Sequence, residues 1–122
     1  MSQNAHGHRV WYFPDGDLPP KGDQEPHGHE SLLILNPQSQ DAQVVLTVYF
    51  EDRPSRQIEP ESVSAERVRC FRLDQPLGAF SIPRGQYALR VESTVPVICQ
   101  IGRMDVRQAN LAYYTVMGLP AD

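Results

Sequence analysis

From Val44 to Glu51 the chain sets Val44, Leu46, Val48 and Phe50 on one parity and Thr47, Tyr49 and Glu51 on the other. Tyr87, Leu89 and Val91 stand in the same way against Ala88, Arg90 and Glu92. A period of two is the signature of a strand with one face turned to a core. Short runs rich in β-branched and aromatic residues predict strands over 9–13, 31–36, 42–51, 67–73, 87–93, 96–106 and 111–116. Eleven prolines spread along the length leave little room for long helices. The pattern therefore predicts an all-β fold, an antiparallel β-sandwich of jelly-roll-like form, in one domain over 1–122. A long proline- and glycine-rich loop is expected at about 14–29, where the sequence reads PDGDLPPKGDQEPHGH.

One strand breaks its own pattern. In PVICQIGRMDVRQ the odd positions run Val97, Cys99, Ile101 and then Arg103, Asp105, Arg107. Gly102 stands at the change, and a glycine inside a strand often marks a bulge. A bulge there would keep Met104 and Val106 on the core side and turn Arg103, Asp105 and Arg107 outward together. With Gln108 these form a polar cluster whose roles stay open: a solvated face, a subunit contact or a ligand site. Glu51 and Arg53, in FEDRP, are either turn residues or further members of that cluster, and Glu30 is a third acidic candidate.

Composition narrows the function classes. The chain of 122 residues carries a formal charge of −4, and Lys21 is its only lysine, so nucleic acid is not an expected partner. Arg67, Arg69 and Phe71 share a parity that would suit a nucleic-acid stripe, but salt-bridged arginines on a solvated face are the better reading. Cys70 and Cys99 lie in apolar runs with no CxxC spacing and read as buried free thiols. Neither an apolar signal-peptide core nor a run of ~20 apolar residues is present. These features lead to the expectation of a cytoplasmic protein.

The candidate chemistry is sparse. His6 and His8, and again His27 and His29, are spaced for a metal, yet glycine-rich loop sequence favours exposed histidines, and no metal or cofactor is expected. His29 is the one expected to fix a loop by a hydrogen bond. Trp11 or Tyr12 would serve as an aromatic platform for a carbohydrate, with Asp15, Asp17 or Gln108 as polar partners. The alternative for Trp11 is the core. Glu30, Glu51, Asp52 and Asp105 offer carboxylates for glycoside hydrolysis, but no spacing singles out a pair. With no nucleophile elbow, zinc-binding helix motif or phosphate loop, an enzyme is not expected.

The blocks WYFPDGDLPP, HESLLILN, VVLTVYFEDRP, RLDQP and IPRGQYALRVESTVPVICQIGRMDVRQ, in that order, resemble the sensory rhodopsin transducer family of small bacterial β-sandwich proteins. The resemblance implies a homotetramer with a fold like that of carbohydrate-binding modules. It also implies a soluble signalling role beside a light-sensing membrane photoreceptor, with a small carbohydrate-like ligand as the alternative. LAYYTV, apolar on both parities, would then be covered partly between subunits.

Overall fold

Strand β7, Gly85–Asp105, belongs to both layers of the molecule, and the other strands arrange themselves along it. The computed structural model describes residues 5–122 and contains eight further strands. They are β1 (His8–Leu18), β2 (His29–Asn36), β3 (Ala42–Tyr49), β4 (Arg56–Gln57), β5 (Glu61–Val63), β6 (Arg67–Arg72), β8 (Ala112–Met117) and β9 (Leu119–Pro120). Every strand pairing is antiparallel.

The first part of β7 pairs with β1 on one side and β3 on the other; β9 extends this first sheet beyond β1, and β4 and β5 extend it beyond β3. The last part pairs with β2 and β8, and β6 lies beyond β2. The corner falls at Ser93–Pro96. There the register of β1 jumps from Val10↔Glu92 to His8↔Val97, and the surplus residues let the strand cross to the second sheet. Because β7 turns back, its beginning near Tyr87 and its end near Arg103 lie at one end of the sandwich, with the corner at the other.

Alternation fills the space between the sheets. Phe13, Val44, Leu46, Val48, Leu89 and Val91 face inward from the first sheet, and Leu32, Ile34, Phe71, Val97, Cys99 and Ile101 from the second. Each contributes about 1.5–3 kcal/mol by leaving water. The inward parity of β2 reads Glu30, Leu32, Ile34, Asn36, all fully buried. A polar residue therefore closes each end of an apolar row. At the corner end, Asn36 Nδ2 donates to the carbonyls of Gln40 (2.8 Å) and Val63 (3.0 Å), and its Oδ1 accepts from the Gln38 N–H at 3.0 Å.

The expected sandwich is found, and three details differ from expectation. The loop at 14–29 is shorter: β1 continues to Leu18, with a register irregularity between Phe13 and Gly16 that absorbs Pro14. Gly16 is needed there, because a Cβ would stand 2.5 Å from the Tyr87 ring. Gly102 makes no bulge: pairing runs without a break through Glu30↔Arg103, Ser31↔Gly102 and Leu32↔Ile101. The glycine instead makes room for a neighbour, since its Cβ would collide with the Tyr113 hydroxyl from β8. Cys99 is buried but Cys70 is exposed, being on the opposite parity from buried Phe71 in β6. In the single chain β8 is exposed along most of its length.

Candidate functional site

With the ladder unbroken at Gly102, Arg103 keeps the parity of Ile101 and points inward, directly opposite Glu30. Its Nε donates to Glu30 Oε2 at 2.7 Å. The Tyr87 hydroxyl, arriving from the first sheet, donates a short hydrogen bond to Glu30 Oε1. The Asp17 N–H adds a longer one to Oε2 at 3.3 Å. The rest of the guanidinium is also engaged: Nη2 donates to the Asp15 carbonyl at 2.7 Å and Nη1 to the Tyr114 hydroxyl at 3.2 Å. The pair thus joins β1, β2, both ends of β7 and β8.

A buried ion pair offsets its desolvation only when its remaining polar atoms are satisfied, and both partners here meet that condition. Burial, reinforced by the Glu30 charge, lifts the Tyr87 phenol far above its ordinary range, so it stays a donor. Burial works against the Arg103 charge, but the Tyr114 and Glu30 contacts outweigh it and raise its pKa.

Asp105 and Arg107 form a second, more exposed group just outside. Arg107 Nη2 donates to Asp105 Oδ2 at 2.5 Å and its backbone N–H to Oδ1 at 2.9 Å, while Asp17 lies 3.9 Å away. Hydrogen bonds from Arg107 hold the Asp105 carboxyl below its usual value. Gln108 is exposed beside them, and with Asp105, Arg107 and Ala112 it lines a 340 Å³ hollow.

Glu51 and Arg53 belong to a third group, in the exposed turn after β3. Arg53 pairs with Asp52 at 3.0 Å and lies over the Phe50 ring, 4.9 Å from its centroid. They share a 260 Å³ hollow with Arg84 and Gln86. Gln86 in turn donates to Asp15 Oδ1 (3.1 Å) and the Gly16 carbonyl (2.9 Å). The candidate residues therefore gather at one end of the sandwich as three groups. The segment Asp15–Asp17 links them, through its backbone to Arg103, Glu30 and Gln86 and through the Asp17 carboxylate to Arg107, in place of one shared network of side chains.

Trp11 lies in the core toward the corner, with its indole N–H donated to the carbonyls of His8 (3.1 Å) and Val97 (2.9 Å). It offers no ring face to a sugar. His29 Nδ1 meets the His27 carbonyl at 2.8 Å, and His8 meets Asp122 at 3.2 Å. Among the described residues no three metal-ligating side chains are gathered. The arginines of β6 are engaged locally: Arg69 with the Ser62 carbonyl (2.7 Å) and over Phe71, Arg72 with Asp74 (2.7 Å).

Three residues of this end escaped the sequence reading as site residues. Tyr87 carries a readable signal, since a phenol on the core parity of a strand needs a buried acceptor. Tyr114 was read only as part of an apolar strand. Arg84, whose Nη1 donates to the carbonyls of Pro19 (2.5 Å) and Gly28 (2.9 Å), pins both ends of the 19–28 loop and has no sequence signal.

The outer face of the second sheet is the other notable surface. The register aligns Val68, Leu35 and Ile98 in one row, and Cys70, Leu33, Gln100 and Met117 in the next. Val68 and Met117 are each 61% exposed and Tyr113 58%.

Comparison with known proteins matches this arrangement to a family. No curated protein matches the chain. A solved structure from the bacterium Thermotoga maritima, Thermotoga maritima 1070, superposes with a TM-score of 0.83 at 32% identity, over 95% of this chain and 97% of that one. The Anabaena sensory rhodopsin transducer superposes with a TM-score of 0.74 at 30% identity, over 86% of this chain and 95% of that one. The family model of the same transducer matches residues 6–120. The chain belongs to the Anabaena sensory rhodopsin transducer family.

Proposed function

We propose that this protein is a non-enzymatic cytoplasmic signalling adaptor that works as a homo-oligomer, a tetramer, and binds a rhodopsin-type membrane protein. The observation that carries this reading is the apolar outer face of the second sheet. Leu35, Val68, Ile98, Tyr113 and Met117 are all exposed there, in continuous cross-strand rows. Monomeric proteins rarely leave contiguous apolar patches of several hundred Å² open to water. The occupant is a second copy of the chain. β8 is an edge strand whose far side pairs with nothing among the described residues, and it is too apolar to be guarded against association. An interface of standard size removes about 800 Å² from each partner, an area that a four-stranded face can supply.

Family membership supports the partner class. Of the three polar groups at this end of the sandwich, Glu30–Arg103 is buried, and the two exposed ones, around Arg107 and around Arg53, suit recognition more than assembly. The carbohydrate reading loses its first candidate platform, since Trp11 is buried, and keeps only the half-buried Tyr12. The experiment is capture of the chain by a rhodopsin-type protein held in nanodiscs. The wild type binds, and Leu35→Glu, which disrupts assembly, binds at least about tenfold more weakly through lost avidity. Absence of binding by the wild type contradicts the adaptor reading.

A further inference from the structure

We propose that the cleft between the Gly22–Pro26 arm and the Gln108–Leu111 turn receives a basic, partly apolar peptide segment, such as a membrane partner presents on its cytoplasmic side. This rests on the adaptor reading and names the place and the chemistry of contact.

The cleft encloses 420 Å³. Val106, Leu111, Pro26 and Ala109 give it an apolar lining, while Asp23, Gln24, Glu25 and Gln108 supply polar side chains. Both walls are built features. The arm is closed by the Gly28 N–H donating to the Lys21 carbonyl at 2.8 Å, and its base is held by Arg84. Gly22, at φ +80°, lies so close to Val106 that a Cβ would stand 2.8 Å from Cγ2, which seats the arm against the end of β7. The opposite wall turns through the Leu111 N–H donating to the Gln108 carbonyl at 3.1 Å, with Leu111 itself at φ +50° and 40% exposed.

The charge of this cleft is unbalanced. The side chains of Asp23, Gln24, Glu25 and Gln108 make no hydrogen bond or ion pair with any described residue. Arg107 is occupied by Asp105 and Asp17. Lys21, the only lysine of a chain with net charge −4, adjoins the arm but does not line the cleft. An apolar lining beside two carboxylates, with no cation in the lining, fits a chain segment bearing arginine or lysine next to an aliphatic residue. Cytoplasmic loops of membrane proteins carry an excess of such cations, so charge complementarity selects this occupant.

The test is fluorescence anisotropy of the whole protein with a labelled octapeptide of alternating arginine and leucine, beside a control peptide with glutamate for arginine. The basic peptide binds and the acidic one does not. Asp23→Asn combined with Glu25→Gln weakens binding by about tenfold, and raising the salt weakens the wild type in the same direction. Leu111→Asn, which keeps a residue tolerant of positive φ, also weakens it. Glu59→Gln, exposed elsewhere, leaves it unchanged. No binding by the wild type, or equal binding by the doubly neutralised variant, overturns the proposal. Because Asp23 and Glu25 lie off the apolar sheet face, failure of the charge-neutralised variant is separate from failure of assembly or of membrane-protein capture.

Discussion

Replacing Glu30 by glutamine would leave the Arg103 charge buried without its counter-ion. Such a loss destabilises by about 3–5 kcal/mol, far more than any exposed pair in this chain contributes. Urea denaturation of Glu30→Gln should show that drop, and Glu30→Leu with Arg103→Met should recover much of it. If Glu30→Gln unfolds at the wild-type midpoint, the pair is not buried as described. Asp105 behaves differently. Its carboxyl is lowered from 3.8 in the fold by Arg107, so its contribution is complete above the unfolded value and is lost as pH falls through the folded one. The melting temperature of Asp105→Asn should therefore approach that of the wild type below pH 4 and lie beneath it at pH 7. Convergence at neutral pH instead would contradict the assignment. At this scale the residue types of the site were legible but their partnerships were not. Arg103 and Glu30 were both singled out from sequence, yet 73 positions separate them, and only the register of two strands sets them face to face.

Among the elements, β7 shows most clearly what a sequence pattern reveals and what it hides. Its alternation was readable, and so was the change from apolar to charged at Gly102. The explanation by a bulge failed because the compensating groups come from elsewhere. Glu30 on β2 neutralises the inward arginine, and Tyr113 on β8 takes the space above the glycine. Gly102→Ala should therefore displace Tyr113 and cost about 1–3 kcal/mol, the usual penalty for inserting a methylene where there is no room. A variant as stable as the wild type would return the glycine to a merely conformational role. In β6 the same alternation placed Phe71 inward and, by parity, Cys70 outward. The apolar neighbours of Cys70 concealed this, because they face a surface left open in the single chain. Cys70 then serves as a probe of the outer face. Burial pushes the Cys99 thiol up to about 12, so it stays silent toward thiol reagents near neutral pH. Labelling should report Cys70 alone, slowly in concentrated wild-type protein and quickly in Leu35→Glu. Equal rates in both would place Cys70 outside any interface.

For the whole molecule, the sandwich was legible because alternation, proline spacing and short connections all agree on it. The division of its surface was less so. One broad face of the second sheet is apolar, and one end carries ion pairs, hollows and free carboxylates. A strand apolar on both parities, as in β8, signals covering without saying whether the cover is the same chain or another copy. The central claim is that a second copy covers that face. Light scattering coupled to size exclusion tests it most directly. A mass near four times 13.8 kDa for the wild type, with collapse toward 13.8 kDa for Leu35→Glu or Met117→Glu at unchanged secondary structure, is the predicted result. A wild-type mass of 13.8 kDa at tens of micromolar, or an assembly that both substitutions leave intact, would contradict it.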